Sequence, residues 1–319
     1  MASLLARIKP DDFPILVASG FIVVILLAGT GYTLATLGTA PLLTPNYLLT
    51  QLQTGAFLGI VAAGMMTVIL LGHIDLSVPW TMTAAAMMAS TIGGPAAIPT
   101  GLAIGLCVGL VNGLGVAYLR IPSMIFTLGV DSVMRGLMVA HTGGFAPQDT
   151  ATDLMRYLAA DKILGIPVAI FVWAAISVVI AAILSRTAFG KAIYATGNRE
   201  AAAYLSGIRT RWVIVGAFVI SGLCAASAGI LLAGYSNKAY QGMGNAYLLP
   251  AIAAVVIGGT HILGGRGRFI GTVVGVILIV LLNSVLSIMQ MPEAGRQIIY
   301  GAVIITMLLV YGRTARVTS

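Results

Sequence analysis

The sequence predicts an all-α polytopic membrane protein with about ten transmembrane helices, and three observations carry that reading. The 319 residues are 59% hydrophobic and only 8% charged, against roughly 25% charged in a soluble domain. Mean hydropathy is +1.03, and window after window reaches the roughly 20 apolar residues that cross a hydrocarbon core. No barrel-like alternation is visible, and open sheet edges do not survive in lipid. Residues 1–319 read as a single transmembrane domain.

The expected spans are 14–38, 48–71, 75–92, 96–119, 121–141, 166–184, 212–234, 247–264, 268–290 and 296–312. The first follows Arg7 and Lys9. At roughly 25 residues it exceeds the apolar core of about 7–15 of a secretory leader, so it is expected to be retained. The second carries Gln51 and Gln53. The third starts inside a break, Gly72-His73-Ile74-Asp75-Leu76-Ser77-Val78-Pro79. There Asp75 or Ser77 can cap the next helix, whose first turn tolerates Pro79. The break reads as a capped re-entry of the chain or as a gate. The fourth span holds Asn112. The fifth holds Asp131 and Arg135, four apart on one face, where they can pair; an unpaired charge at mid-membrane costs roughly 2.5–3.5 kcal/mol. The eighth runs into a glycine-rich segment, 257–268, and the ninth holds Asn283. Cys107 and Cys224 fall within spans and read as buried free thiols.

Charge sets the orientation. With a cytosolic N-terminus, Arg7, Lys9, Arg120, Arg186, Lys191, Arg199, Arg209, Arg211, Arg266, Arg268, Arg313 and Arg316 lie inside, and Arg156, Lys162, Lys238 and Arg296 lie outside. This positive-inside bias needs an even number of spans and places both termini in the cytosol. The net charge of +8 is mainly a topology signal. The charges are spread over several loops, which argues against a nucleic-acid partner.

Five of the 17 Lys and Arg residues fall in 185–211, a wet island in an apolar chain. Within it Asn198 can cap a short helix, Glu200 suits its first turn and Gly207 can stop it. Ala201 and Ala202 permit close approach, and Tyr204, Leu205 and Ile208 offer an apolar contact. This island is expected either to dock on a protein partner or to lie on anionic membrane lipid.

Chemistry is otherwise sparse. No GxxxxGK[ST] phosphate loop occurs. His73 and His261 lack further ligands at metal spacing. No nucleophile–base set is recognisable, so no catalytic residue, metal or resident cofactor is expected. The contexts Leu-Gly-His-Ile-Asp-Leu and Gly-Thr-His-Ile-Leu-Gly faintly echo each other, as in a repeat of spans 2–5 and 7–10.

Five ordered motifs carry a family resemblance. They are Gly72-His-Ile-Asp-Leu-Ser-Val78; Phe126-Thr-Leu-Gly129 with Arg135-Gly136-Leu137; Phe189-Gly-Lys-Ala-Ile-Tyr-Ala195; Gly197-Asn-Arg-Glu-Ala-Ala202 with Leu205-Ser-Gly-Ile208; and Ala251–Thr260 with Gly264-Gly-Arg-Gly267 and Gly271-Thr272. With them the chain resembles the permease subunits of bacterial ABC importers for ribose and related solutes (xylose, arabinose, galactose, autoinducer-2). His73 and Pro79 stand where relatives usually have glycine.

The resemblance implies a bacterial inner-membrane permease with no ATPase activity of its own. It would pair with a second permease subunit, identical or paralogous, and work with ATP-binding subunits that hold ATP and Mg. A periplasmic solute-binding protein would deliver a monosaccharide or similar solute for import. The implied coupling residues are Gly197, Asn198, Arg199, Glu200, Ala201, Ala202, Tyr204, Leu205, Gly207 and Ile208. The expected translocation path or gate residues are Gln51, His73, Asp75, Asn112, Asp131, Arg135 and Asn283, any of which can instead be interhelical hydrogen-bonding groups. An ion-coupled secondary transporter using Asp75 or Asp131 is the alternative.

Overall fold

The computed structural model describes residues 13–302 and 305, apart from 146 and 148. Arg7, Lys9, Arg313 and Arg316, on which the expected placement of the termini rests, lie outside the described residues. The helices in chain order are α1 (Phe13–Leu37), α2 (Pro45–Ile69), α3 (Val78–Ile92), α4 (Ala97–Leu119), α5 (Ser123–Thr142), α6 (Asp153–Ala160), α7 (Val168–Arg186), α8 (Ala188–Asn198), α9 (Glu200–Leu205), α10 (Thr210–Ser236), α11 (Leu248–Ile257) and α12 (Phe269–Ile288). A last helix, α13, covers 293–302, and the rest of the tenth expected span is not described.

Among the described residues, seven helical segments are long and apolar enough to cross a membrane. They correspond to the first, second, fourth, fifth, sixth, seventh and ninth expected spans. The third and eighth differ. Helix α3 has 15 residues and α11 has 10, so at 1.5 Å per residue they are about 22 and 15 Å long, short of a core of about 30 Å. Irregular chain, 70–77, precedes α3, and irregular chain, 238–244, followed by a 3-10 turn, Asn245–Tyr247, precedes α11.

Helix α10 forms the centre and packs most extensively on α4, then on α2 and α3. Glycine sets that spacing: a Cβ on Gly105 would lie 2.4 Å from the Gly222 carbonyl oxygen, and one on Gly222 would lie 2.2 Å from that of Gly105. Two backbones this close gain dispersion contacts that larger residues would forbid. Helices α1, α5 and α7 stand outside, with exposed Val24, Leu27, Ile125, Val133 and Val178. Cys224 is buried as expected, but Cys107 is exposed on α4.

The segment between α5 and α7 carries structure the apolar pattern did not signal. Thr152 caps α6 by accepting from the Met155 N–H at 3.3 Å, and Arg156 pairs with Asp153. A two-residue turn, Leu164-Gly165, with both φ positive, joins β1 (Lys162–Ile163) to β2 (Ile166–Pro167). This pattern is that of a type I′ hairpin, so the chain is not entirely α. Met155 and Ala159 are buried, and Gln53 Nε2 donates to the Ala159 carbonyl at 2.8 Å. Gln53 therefore fastens this cover to α2.

Arg120, Arg186, Lys191, Arg199, Arg209, Arg211, Arg266 and Arg268 gather at one end of the bundle, here the basic end. Arg156, Lys162, Lys238 and Arg296 lie at the other.

Candidate functional site: two half-helices, a buried carboxylate and a docking helix

The two short helices start inside the bundle. Asp75 Oδ2 accepts from Ser221 Oγ at 2.8 Å, and Ser221 lies near the middle of the 27-residue α10. Just beyond, a Cβ on Gly244 would lie 2.2 Å from the Pro79 carbonyl oxygen. The start of α3 and the turn leading into α11 therefore meet near mid-height. The N-terminal N–H groups of both helix starts are brought to this level. Discontinuous helices of this kind frame the solute site in many transporters.

The unwound chain before α3 is satisfied by side chains. The Ile74 N–H donates to Ser123 Oγ at 3.3 Å and the Leu76 N–H to Thr127 Oγ1 at 2.9 Å. The Ser77 N–H donates to Asp75 Oδ1 at 3.0 Å, and Ser77 Oγ donates to the same oxygen at 2.7 Å. Irregular backbone at membrane depth requires such partners. Asn112 Nδ2 donates to Ser77 Oγ at 2.7 Å and to Asp75 Oδ1 at 3.3 Å. Asp75, Ser77, Asn112 and Ser221 are all buried. Asp75 and Asn112 thus join the break, α4 and α10 into one polar knot. Asp75→Ala is expected to lower stability by about 2–4 kcal/mol, because buried donors lose their acceptor; a thermal melt of the purified protein checks it.

The expected Asp131–Arg135 pair does not form. Asp131 Oδ1 accepts from the Trp80 N–H at 3.3 Å, and the Arg135 guanidinium lies 6.0 Å from the Trp80 ring centroid. Helix α3 has no side-chain cap of its own. An anion brought by α5 to its exposed N–H groups supplies one, which favours both partners more than an ion pair along α5. His73 lies 6.1 Å from Phe218, on the inner side of the break.

Gln51 and Asn283 line a different space. It is a cavity of about 230 Å³ reaching from the end opposite the basic one toward α11, with Thr54, Tyr240, Tyr247, Glu293 and Tyr300 also on its wall. Asn283 Oδ1 accepts from Arg296 Nη1 at 2.9 Å and from the Tyr300 hydroxyl at 3.1 Å, and Arg296 pairs with Glu293 at 3.0 Å. Three tyrosines converge here, Tyr240 and Tyr247 from the chain entering α11 and Tyr300 from α13, which composition alone did not signal. The expected path residues are therefore split. Gln51 and Asn283 share the cavity, Asp75 and Asn112 share the knot, and Asp131 and Arg135 flank α3.

At the basic end the wet island folds as two helices. Thr187 caps α8 by accepting from the Gly190 N–H at 3.1 Å. Asn198, expected as a cap, is the last residue of α8, and Arg199 is the cap of α9 without a side-chain bond. Gly207, at φ +84°, closes α9, with the Ile208 N–H reaching the Ala203 carbonyl at 3.1 Å, the Schellman geometry. Glu200 pairs with Arg120 at 2.8 Å and accepts from Thr210 Oγ1 at 3.2 Å. Ala201, Ala202, Tyr204, Leu205 and Gly207 are exposed, Ala203 is buried and Ile208 is half-buried. Among the described residues, the outward face of α9, with Tyr204 and Leu205, stays exposed.

Behind α9, three segments meet backbone to backbone. The Gly265 N–H donates to the Leu70 carbonyl at 2.9 Å. A Cβ on Gly197 would lie 1.8 Å from that same oxygen, and one on Gly265 would lie 2.8 Å from Asn198 Cα. Tyr194 donates its hydroxyl to the Gly267 carbonyl at 2.9 Å; burial pushes its phenol up, so it stays protonated and can donate. The end of α8, one residue before α9, is thereby joined to the break before α3 and to the loop after α11. Those two segments close alike: the His73 N–H returns to the Val68 carbonyl and the Thr260 N–H to the Val255 carbonyl, each at 3.2 Å, across a glycine of positive φ.

Residues 47–308 match the family model described as branched-chain amino acid transport system / permease component. The chain belongs to that permease family. It is 36% identical to the ribose import permease protein of Bacillus subtilis, over 84% of this chain and 85% of the relative. It is 35% identical to the ribose import permease protein of Haemophilus influenzae, over 78% and 80%. It is 33% identical to the autoinducer 2 import system permease protein of Salmonella paratyphi B, over 85% and 81%. No solved structure matches the chain. Among the described residues no group of three or more His, Cys, Asp or Glu could hold a metal ion.

Proposed function

We propose that this permease is the membrane subunit of an ABC importer that moves a monosaccharide or related polar solute from periplasm to cytosol. The observation that carries the reading is the exposed face of α9, with Tyr204 69% and Leu205 85% exposed, fixed from behind to the chain entering α3 and leaving α11. A force applied at α9 passes through Arg199 to the end of α8, and from there to both half-helices through the Leu70–Gly197–Gly265 contact. ATP and Mg belong to separate ATPase subunits that dock on Gly197–Ile208. A second permease copy or a paralogue completes the pore, and a periplasmic binding protein delivers the solute. The basic end faces the cytosol. The ribose permeases among its relatives favour a sugar over an amino acid.

The cavity lined by Gln51, Asn283 and the three tyrosines is the solute entrance on the periplasmic side. At about 230 Å³ it falls below the roughly 300–1,000 Å³ of pockets for drug-sized ligands, which suits a smaller solute. A modest affinity is expected there, because a tightly held solute would not leave. Loss of one hydrogen bond in Gln51→Ala is expected to raise the uptake KM by about 2- to 12-fold with little change in thermal stability. Asn112→Ala, in the buried knot, is expected to lower stability instead. Purification with its cognate ATPase, and uptake that requires ATP, test the whole reading. Uptake driven by a proton gradient in ATP-free vesicles would overturn it.

A further inference from the structure

A second open space lies at the basic end, where α4 stops and α10 starts. Its volume is about 610 Å³, and Tyr118, Arg120, Glu200, Tyr204, Arg209, Arg211 and Trp212 are on its wall. Three guanidiniums face one carboxylate, and that carboxylate is already engaged by Arg120. Arg211 lies 5.2 Å from the centroid of the Tyr118 ring, and Tyr118 and Trp212 meet edge to face at 6.3 Å. Arg211 is thus held over an aromatic face and Arg120 by Glu200, and the wall carries three cations to one carboxylate.

Height decides what can occupy this cleft. Helix α4 has 23 residues and α10 has 27, about 34 and 40 Å at 1.5 Å per residue. A hydrocarbon core of about 30 Å leaves their ends, Tyr118 to Arg120 and Thr210 to Trp212, in the headgroup layer. Leu119 is 66% and Trp212 56% exposed, as suits residues bordering lipid, and Trp and Tyr prefer this layer. The glycerol-phosphate level of a bilayer therefore coincides with the three guanidiniums. Basic pockets between helices on the cytosolic side are a known form of lipid headgroup site.

We propose that the cleft between α4, α9 and α10 binds the phosphate of an anionic phospholipid headgroup, with Arg209 and Arg211 as its main ligands and Arg120 alongside. Glu200 then belongs both to α9 and to the rim of a lipid site, so the lipid fixes α9 against the membrane surface. The cleft shares Glu200 and Tyr204 with α9, but the three guanidiniums proposed to hold the phosphate lie outside Gly197–Ile208.

The test uses the full-length permease, alone and with its ATPase subunits, in nanodiscs containing phosphatidylglycerol and phosphatidylcholine. Lipid retained on the protein is counted by native mass spectrometry. Wild type is expected to enrich phosphatidylglycerol, and R209Q/R211Q is expected to lower that enrichment about 30-fold, as for two cations removed from an anionic surface. R209K/R211K should keep most of it, because charge is retained. The control R186Q/K191Q, which removes two other cations of the same end, should leave it unchanged. Equal loss in the control would overturn the proposal in favour of diffuse surface charge. Loss of enrichment on adding the ATPase would assign the cleft to protein docking and also overturn it. Inorganic phosphate at millimolar concentration displacing the lipid from wild type would replace the headgroup by a soluble anion. If ATPase docking failed while lipid enrichment persisted, only the coupling reading would fall.

Discussion

Glu200→Arg combined with Leu205→Asp is expected to reduce uptake to background while leaving the protein folded and in the membrane. The Arg120–Glu200 pair is at the surface, with side chains 54% and 37% exposed, and such pairs contribute about 0–1 kcal/mol. Leu205 is 85% exposed, and surface changes away from special features shift stability by about ±0.5 kcal/mol. Neither substitution can unfold the bundle. What they remove is an apolar anchor and a charge on the face proposed to dock the ATPase, where single residues often carry 2 kcal/mol or more of binding. Solute-stimulated ATP hydrolysis should be lost together with uptake. The measurement is transport and ATPase activity of the reconstituted complex beside the membrane level of the variant. Normal uptake would show that α9 is not the docking element.

Gly197→Ala is expected to have the second largest effect, for the opposite reason. The added Cβ would lie 1.8 Å from the Leu70 carbonyl oxygen and 2.9 Å from the Gly265 N–H nitrogen. Both neighbours are backbone and hydrogen-bond each other, so neither can rotate aside. Overpacking of this kind costs about 1–3 kcal/mol even where side chains can give. The junction must open, and α9 is then disconnected from both half-helices. Uptake should fall at least tenfold, with a lower thermal midpoint, although the outward face of α9 is unchanged. Gly20→Ala is the control, since its Cβ would meet nothing within 4 Å and should be silent. If Gly197→Ala transported normally, the backbone junction would not be the route of coupling.

The apolar runs were legible because a helix in lipid must be hydrophobic over its whole length. Seven expected spans have a helix long enough to cross, and the family follows from local motifs such as Gly197-Asn-Arg-Glu. The third and eighth spans were misjudged in length. Hydropathy reports how apolar a segment is, and 75–77 and 258–264, which fall inside those two expected spans, are turns rather than helix. The sequence did mark the first break, through Gly72, Asp75 and Pro79. It gave no comparable sign for 238–247, whose entry depends on Gly244 fitting against Pro79. Helix α6 carries only eight residues, too few for a membrane signal, although Thr152-Asp153 is a readable cap.

Pairing was the least legible level. Asp131 and Arg135 are one turn apart, and the helical period allows them to meet, yet the empty N-terminus of α3 competes for the carboxylate and holds it. Thr127 lies in a motif the sequence marked, but its task of receiving the Leu76 N–H needed the break to pass beside α5. Gln51 and Asn283 were single polar residues on two helices until Tyr240, Tyr247 and Tyr300 were brought around them.

By itself the sequence determined the solvent, the helical class, the basic end and the wet segment exposed there. These follow from composition and local pattern, because burial in lipid and charge at its surface are properties of each segment alone. Only the tertiary structure decided where the helices break, which acceptor holds each buried donor, and how α9 connects to the interior. Those depend on backbones from distant segments meeting within van der Waals reach, as Leu70, Gly197 and Gly265 do, and no local pattern encodes which of 39 glycines will be the ones that touch.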